Sequence, residues 1–402
     1  MSGSSSSAVC GRVGFNHMTD HTTDIGADIS RRLEDRVRTE IRARGGVLPF
    51  DRFMELALYA PGLGYYVAGA PKFGPGGDFV TAPELSPLFG RCLAAQCAEV
   101  LDRLDGGEIL EFGAGSGALA VQILLELESL ERLPERYRIL EPSPDLQERQ
   151  RVVIETAAPH LLARCDWLMA LPERFDGVVI ANEVLDAMPV HRFRLGDAGE
   201  ILEIGVGERD GRLVEVAIPP VSTGLVEAVS ALHEAGLANT PGYESEINLR
   251  LSPWLSALSR VMERGLALLI DYGYPRAEYY QPERHMGTLR CHHRHQAHSN
   301  PYVHLGLQDI TAHVDFTAAA EAGVAAGFNL AGFTTQAHFL IGCGIDRLMQ
   351  TSAPETAFDL ALGAKQLLLP TAMGERFKVL GLAKGVDGPW SSFAMRDLSD
   401  RL

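Results

Sequence analysis

The stretch Ile109-Leu110-Glu111-Phe112-Gly113-Ala114-Gly115-Ser116-Gly117 constrains this chain more than any other. Apolar residues on either side of Glu111 read as the end of a buried strand. Three glycines at alternate positions then make a tight turn, and Ala118 to Glu128 continues with an amphipathic helical pattern. Glycine tolerates positive φ, and without a Cβ it lets a ligand lie against the backbone. The first N–H groups of the following helix point toward that space. Strand, glycine turn and helix in this order make a nucleotide-type cofactor site at Gly113, Gly115 and Gly117. The bland alternative is an ordinary tight strand-to-helix turn that binds nothing.

Spacing narrows the cofactor. The dinucleotide fingerprint is G-x-G-x-x-G, whereas this chain has Gly113-x-Gly115-x-Gly117 preceded by Glu111. That E-x-G-x-G-x-G form resembles motif I of class I S-adenosylmethionine methyltransferases more than a nicotinamide site. Tyr137 to Glu141 reads as the next strand, with Pro142-Ser143-Pro144 opening another helix. A carboxylate at that strand tip can accept from both hydroxyls of a ribose. Nicotinamide sites use the same device, so Glu141 supports an adenosine-type ligand without separating the two.

At 402 residues the chain accommodates one large α/β core with insertions, or two domains. A net charge of −16 argues against a nucleic-acid surface and suits a basic protein or peptide partner, or serves solubility alone. No run reaches the length of a membrane span. Cys10, Cys92, Cys97, Cys165, Cys291 and Cys343 form no C-x-x-C pair and read as thiols in a reducing compartment. Residues 1–28 read as a disordered, serine-rich tail that lacks a secretory core. Helical patterns over 29–104 make an N-terminal extension, and 105–402 reads as the catalytic core, with insertions at about 190–262 and 273–316.

Further along, Thr81 precedes Pro83-Glu84 as a helix start leading into Leu85 to Leu104. Cys165-Asp166-Trp167 lies near a third strand. The run Phe175 to Ala181, apolar apart from Asp176, suits a central parallel strand, and it delivers Asn182-Glu183-Val184-Leu185-Asp186 at its carboxyl end, where doubly wound sheets bind ligands. Glu183 and Asp186 would face one pocket if that loop were helical. Otherwise they cap a helix or pair with Arg192. Val190 to Val216 alternates as an inserted meander. Leu266 to Ile270 reads as a fifth strand ending in Asp271-Tyr272-Gly273-Tyr274, Leu330 to Ile341 as a strand with its approach, and Phe377 to Ala383 as a final strand. The histidine-rich segment 278–316 lacks a clear ligand spacing, so no metal site is assigned; it reads as a cap over the substrate entrance.

The motifs GGDFVTAPELSPLF, LEFGAGSG and NEVLDAMP together resemble the MidA-type class I methyltransferase family, whose mitochondrial members are arginine methyltransferases that assist assembly of respiratory complex I. The resemblance runs from about Ile29 to the C-terminus. It implies a Rossmann-like α/β fold, S-adenosyl-L-methionine as cofactor, and a protein-arginine acceptor, with a respiratory-complex subunit among the candidates. By analogy, Thr81, Pro83, Glu84, Glu111, Glu141, Asn182 and the three glycines line the cofactor, while Asp166 and Trp167 either meet the adenine or are a surface acid beside a core tryptophan. Glu183 and Asp186 bind the acceptor; His313, in the family-like run Gln308 to Phe316 with Asp309, takes up the released proton. The expected location is the cytoplasm of a bacterium, or the mitochondrial matrix of a eukaryote. A small-molecule methyltransferase and a non-catalytic assembly chaperone on the same fold are the rival readings, with a nicotinamide oxidoreductase behind them.

Overall fold

A computed structural model describes residues 18–68, 81–350 and 357–402. Its centre is an eight-stranded sheet. The principal strands are β1 (Glu108–Phe112), β2 (Tyr137–Leu140), β3 (Cys165–Leu168), β4 (Phe175–Asn182), β5 (Met262–Tyr274), β6 (Asn329–Thr335) and β7 (Phe377–Lys384), in the order β6-β7-β5-β4-β1-β2-β3. The short strand Val314–Asp315 adds to the end of β5. Pairs from β3 through β5 are parallel, while β7 runs antiparallel to both β5 and β6. This is a Rossmann-like α/β sheet closed by an antiparallel strand, as the motifs imply.

Side-chain alternation explains why the middle of β4, Val178 to Ala181, is apolar. Val178 and Ile180 enter the core beneath helices Pro87–Leu104 and Ala118–Ser129, whereas Val179 and Ala181 enter the core beneath Leu251–Val261 and Phe316–Ala325. A central strand covered on both faces has no solvent side to make polar. The parallel crossovers put the carboxyl ends of β1, β2, β4 and β5 along one edge, which is where the glycine turn and the Glu183 loop emerge.

A second sheet joins Leu48–Pro49 to the inserted strands His191–Leu195, Ile201–Arg209, Arg212–Ile218 and Glu244–Ile247. The N-terminal extension and the insertion therefore share a sheet rather than forming separate units. A small cap sheet contains Arg290–His293, Gln296–His298 and Asp309–Thr311.

Several boundaries differ from the sequence pattern. The first helix spans Met18–Ala43, so the tail expected to reach Asp28 is helical from Met18, and residues 1–17 lie outside the described residues. The GGDFV part of the motif at 76–80 also lies outside them. The helix expected from Leu85 breaks at Ser86, whose Oγ accepts from Leu88 N and caps Pro87–Leu104. The strand expected to Ile341 stops at Thr335, which caps the helix Gln336–Gly342 through His338 N. The fifth strand is longer than its apolar run, because pairing with both β4 and β7 recruits polar residues at its ends.

Candidate active site

A cavity of about 810 Å³ opens at the carboxyl edge of the sheet, a volume typical of small-molecule sites. One end is the glycine turn. Gly113 and Gly115 have φ of 60° and 53° and line the cavity. A Cβ built on Gly113 meets nothing nearer than Val184 Cγ2 at 3.9 Å, so it would project into open space that a ligand can use. Gly117, at φ 84°, does not line the cavity. It begins the helix Ala118–Ser129, where a Cβ would press on Gln150 Cα at 3.2 Å. Its role is close packing.

Two buried carboxylates stand behind this turn. Glu111 accepts from Tyr137 Oη at 2.8 Å, and burial pushes its pKa up to about 7 against that hydrogen bond. Glu141 accepts from Ser143 N at 2.9 Å and from Gln150 Nε2 at 3.3 Å. The same Gln150 amide donates to Gly115 O at 3.1 Å, and its Oε1 accepts from Trp167 Nε1 at 3.0 Å. One buried glutamine thus ties the glycine turn to the acid at the β2 tip.

Asp166 and Trp167 do not reach the cavity. Asp166 is solvated and lies 3.8 Å from Arg136; Trp167 is covered by the Arg151 guanidinium, 4.2 Å from its ring centre. The pleat of β3 turns Asp166 to the outer surface and Trp167 toward Gln150, and neither lines the cavity. Thr81 and Pro83 line the cavity, and Gln122 Nε2 holds Pro83 O at 2.7 Å. Glu84 is not among the lining residues.

The other end is acidic. Asn182, Glu183 and Asp186 all line the cavity. Their loop is not helical, however. Glu183 sits at φ 54°, a left-handed conformation uncommon for a side-chain-bearing residue, while its N–H bonds Ile270 O at 2.9 Å. That turn brings both acids to one wall. Asp271, fully buried, accepts from Leu185 N at 3.0 Å, Asp186 N at 3.2 Å and Tyr272 N at 2.9 Å. Tyr272 Oη donates to Asp186 Oδ2 at 2.5 Å. Arg192, the alternative partner for these acids, is engaged by Glu244 and Glu215.

Burial is the main cause of raised proton affinity here. It takes Glu183 to about 8, helped by Asp186 and opposed by a hydrogen bond from Asn182, and takes Asp186 to about 6 against the Tyr272 hydrogen bond. Among the described residues no cation is a leading cause of either shift. Asp309 completes the wall and accepts from Tyr66 Oη at 3.0 Å. His313 lines the cavity as well, between the rings of Tyr272 and Tyr274. Burial, with Arg284, Arg290, Lys378 and Arg376 around it, lowers its pKa to about 4, so the ring is neutral at physiological pH. Asp315, its sequence neighbour, faces away, capping Phe316–Ala325 through Ala318 N and pairing with Arg276.

Tyr59, Tyr66, Asp271, Tyr272, Gln150, Arg290 and Arg376 were not singled out from sequence. Position at the end of a core strand was an available signal for Asp271 and Tyr272. The others arrive through tertiary packing. Among the described residues no cluster of three His, Cys, Asp or Glu is placed to hold a metal ion, and no helix is long and apolar enough to cross a membrane.

A glycine turn at β1, an acid at the tip of β2 and this strand order define a class I methyltransferase. The family described as "Putative S-adenosyl-L-methionine-dependent methyltransferase" matches residues 92–334, and the chain belongs to it. A Burkholderia thailandensis protein solved with S-adenosyl-homocysteine superimposes with a TM-score of 0.90 at 43% identity, covering 94% of this chain and 98% of that one. The chain is also 28% identical to the mitochondrial protein arginine methyltransferase NDUFAF7 homologue of Drosophila melanogaster, over 88% of this chain and 85% of the relative. The Danio rerio NDUFAF7 protein is 26% identical, over 88% and 87%.

The cofactor is S-adenosyl-L-methionine. The residues present suit it: the Cβ-free backbone at Gly113 leaves room for it, and Gly115 and the Glu141 carboxylate line the same cavity.

Proposed function

We propose that this chain methylates the guanidinium of an arginine in a protein substrate. The observation that carries this is the pair Glu183 and Asp186: acids on a cavity wall, both held above the normal carboxylate range by burial. A guanidinium is permanently charged, planar and rich in donors, so it supplies what these acids lack. The names of the relatives, protein arginine methyltransferases at 26–28% identity, point the same way.

When bound, S-adenosyl-L-methionine supplies an electrophilic methyl group. The protein's task is then to hold a guanidinium nitrogen in line and make it a better nucleophile. Glu183 and Asp186 accept its N–H groups and draw positive charge away from the reacting nitrogen. Asp271 and Tyr272 fix Asp186 in place. Glu183, whose proton affinity lies near neutral pH, is suited to receive the released proton. His313, expected from sequence to do this, is too weak a base at about 4, and offers a neutral hydrogen-bonding ring instead. The family resemblance adds a respiratory-complex subunit as the acceptor to try first, and the relatives' mitochondrial labels make the matrix the corresponding compartment in a eukaryote.

The test is incubation of the purified protein with methyl-labelled S-adenosyl-L-methionine and a cell extract depleted of it, followed by mass spectrometry. Label on arginine side chains is expected. Label confined to other residues or to small molecules would overturn the arginine reading.

A further inference from the structure

We propose that Arg290 and Arg376 form an anion-binding rim at the cavity mouth, which takes an acidic side chain lying close to the target arginine in the acceptor. The proposal rests on the reading of the acidic wall given above for its cationic end. In the cap sheet, Arg290 stands opposite Thr311 and His292 opposite Asp309. Alternate residues of paired strands share a face, and all four of these line the cavity. Arg376 reaches the same cavity from the turn before β7.

Both arginines are exposed, and neither has a carboxylate partner among the described residues; Arg290 Nη1 donates only to the neighbouring Leu289 O, at 3.1 Å. Other arginines of the neighbouring elements are engaged: Arg284 donates to Glu278 O and lies 3.7 Å from the centre of the Tyr274 ring. Arg250 meets Asp51 and Glu55, and Arg276 meets Asp315 and Glu321. In a chain of net charge −16, two unmatched cations on one cavity are a local reversal of sign. Their field extends inward, since both contribute to keeping His313 neutral.

The cavity is therefore bipolar, with carboxylates at the Glu183 end and guanidinium groups at the mouth. A strongly basic peptide would be repelled at the mouth before its arginine reached the acids. A segment carrying an arginine and a nearby aspartate or glutamate matches both poles, and an arginine fork binds a carboxylate by two parallel hydrogen bonds. The same rim chemistry could hold the amino-acid carboxylate of the cofactor, so the experiment separates the two sources.

Three fluorescent peptides share one central arginine and differ only in their flanks, which carry two glutamates, two glutamines or two lysines. Binding to the protein loaded with S-adenosyl-homocysteine is measured by anisotropy, at low and at high salt. The glutamate peptide is expected to bind about tenfold more tightly than the lysine peptide, with the gap narrowing in salt. In Arg290→Gln/Arg376→Gln the gap should close while affinity for S-adenosyl-homocysteine stays within about twofold. Equal binding of the three peptides, or binding of none, overturns the proposal. A tenfold loss of S-adenosyl-homocysteine affinity in the double variant overturns it too, by assigning the rim to the cofactor. Should that variant fail to fold, the wild-type comparison of the three peptides decides alone. Flank-dependent binding without methyl transfer to any arginine peptide would overturn the arginine reading and leave the rim standing.

Discussion

The two ends of the cavity treat their polar groups in opposite ways. At the glycine turn, Glu111 and Glu141 each accept hydrogen bonds from the protein itself, and Gln150 serves Gly115, Glu141 and Trp167 together. At the acceptor end, Asn182 Oδ1, Asp186 Oδ1 and His313 Nδ1 are buried without a hydrogen-bond partner among the described residues. A buried unsatisfied polar atom costs on the order of 1–3 kcal/mol. The difference teaches that the cofactor end is finished by folding, whereas the acceptor end carries a deficit that a donor-rich cation would remove.

The sharpest way to break this comparison is to disable the ends one at a time. Glu183→Gln keeps the shape and removes the ionisable carboxyl group. Turnover is expected to fall roughly 100- to 1,000-fold, with the Kd for S-adenosyl-homocysteine within about twofold of wild type by calorimetry. Gly115→Val should do the reverse. A side chain at φ 53° is strained by about 1–2 kcal/mol and stands where the cofactor must lie, so affinity should drop roughly tenfold or more. If both variants lose cofactor affinity equally, the two ends are not independent.

A smaller effect sharpens the contrast through pH. Glu183 keeps its proton in the folded chain up to about pH 8, whereas its ordinary value is 4.5. The folded state therefore binds more protons than the unfolded state over that interval, and stability falls as pH rises through it. His313 acts oppositely, but only between its folded value of about 4 and its ordinary 6.5. Between pH 6.5 and 8 the acids dominate. Denaturant melts of the wild type should lose on the order of 1 kcal/mol per pH unit there. Glu183→Gln should flatten that slope, and an unchanged slope would remove Glu183 as its source.

How much of this was legible in the sequence follows the same division. The cofactor end is local: strand, turn and helix lie within about twenty residues, and the acid at 141 follows one helix later, so spacing reveals them. The apolar run of β4 likewise announces its depth. The acceptor end is assembled from four distant places. Tyr66 comes from the N-terminal extension, Glu183 from the β4 tip, Tyr272 from the β5 tip and Asp309 from the cap. Nothing in the local pattern at Tyr65-Tyr66 distinguishes a site tyrosine from a packed loop. Asp166 and Trp167 lie off the cavity lining, because an analogy of position cannot say which way a strand's side chains face. Gln150 carries no local signal at all; its importance exists only once two helices and two strand tips have met.

Asp271 carries one more consequence. By accepting three backbone N–H groups it staples the ends of two neighbouring strands into a single rigid floor. An incoming side chain thus meets acids whose spacing was set during folding, and whatever breathing is needed to admit a bulky polypeptide falls to the cap sheet and the mouth above it.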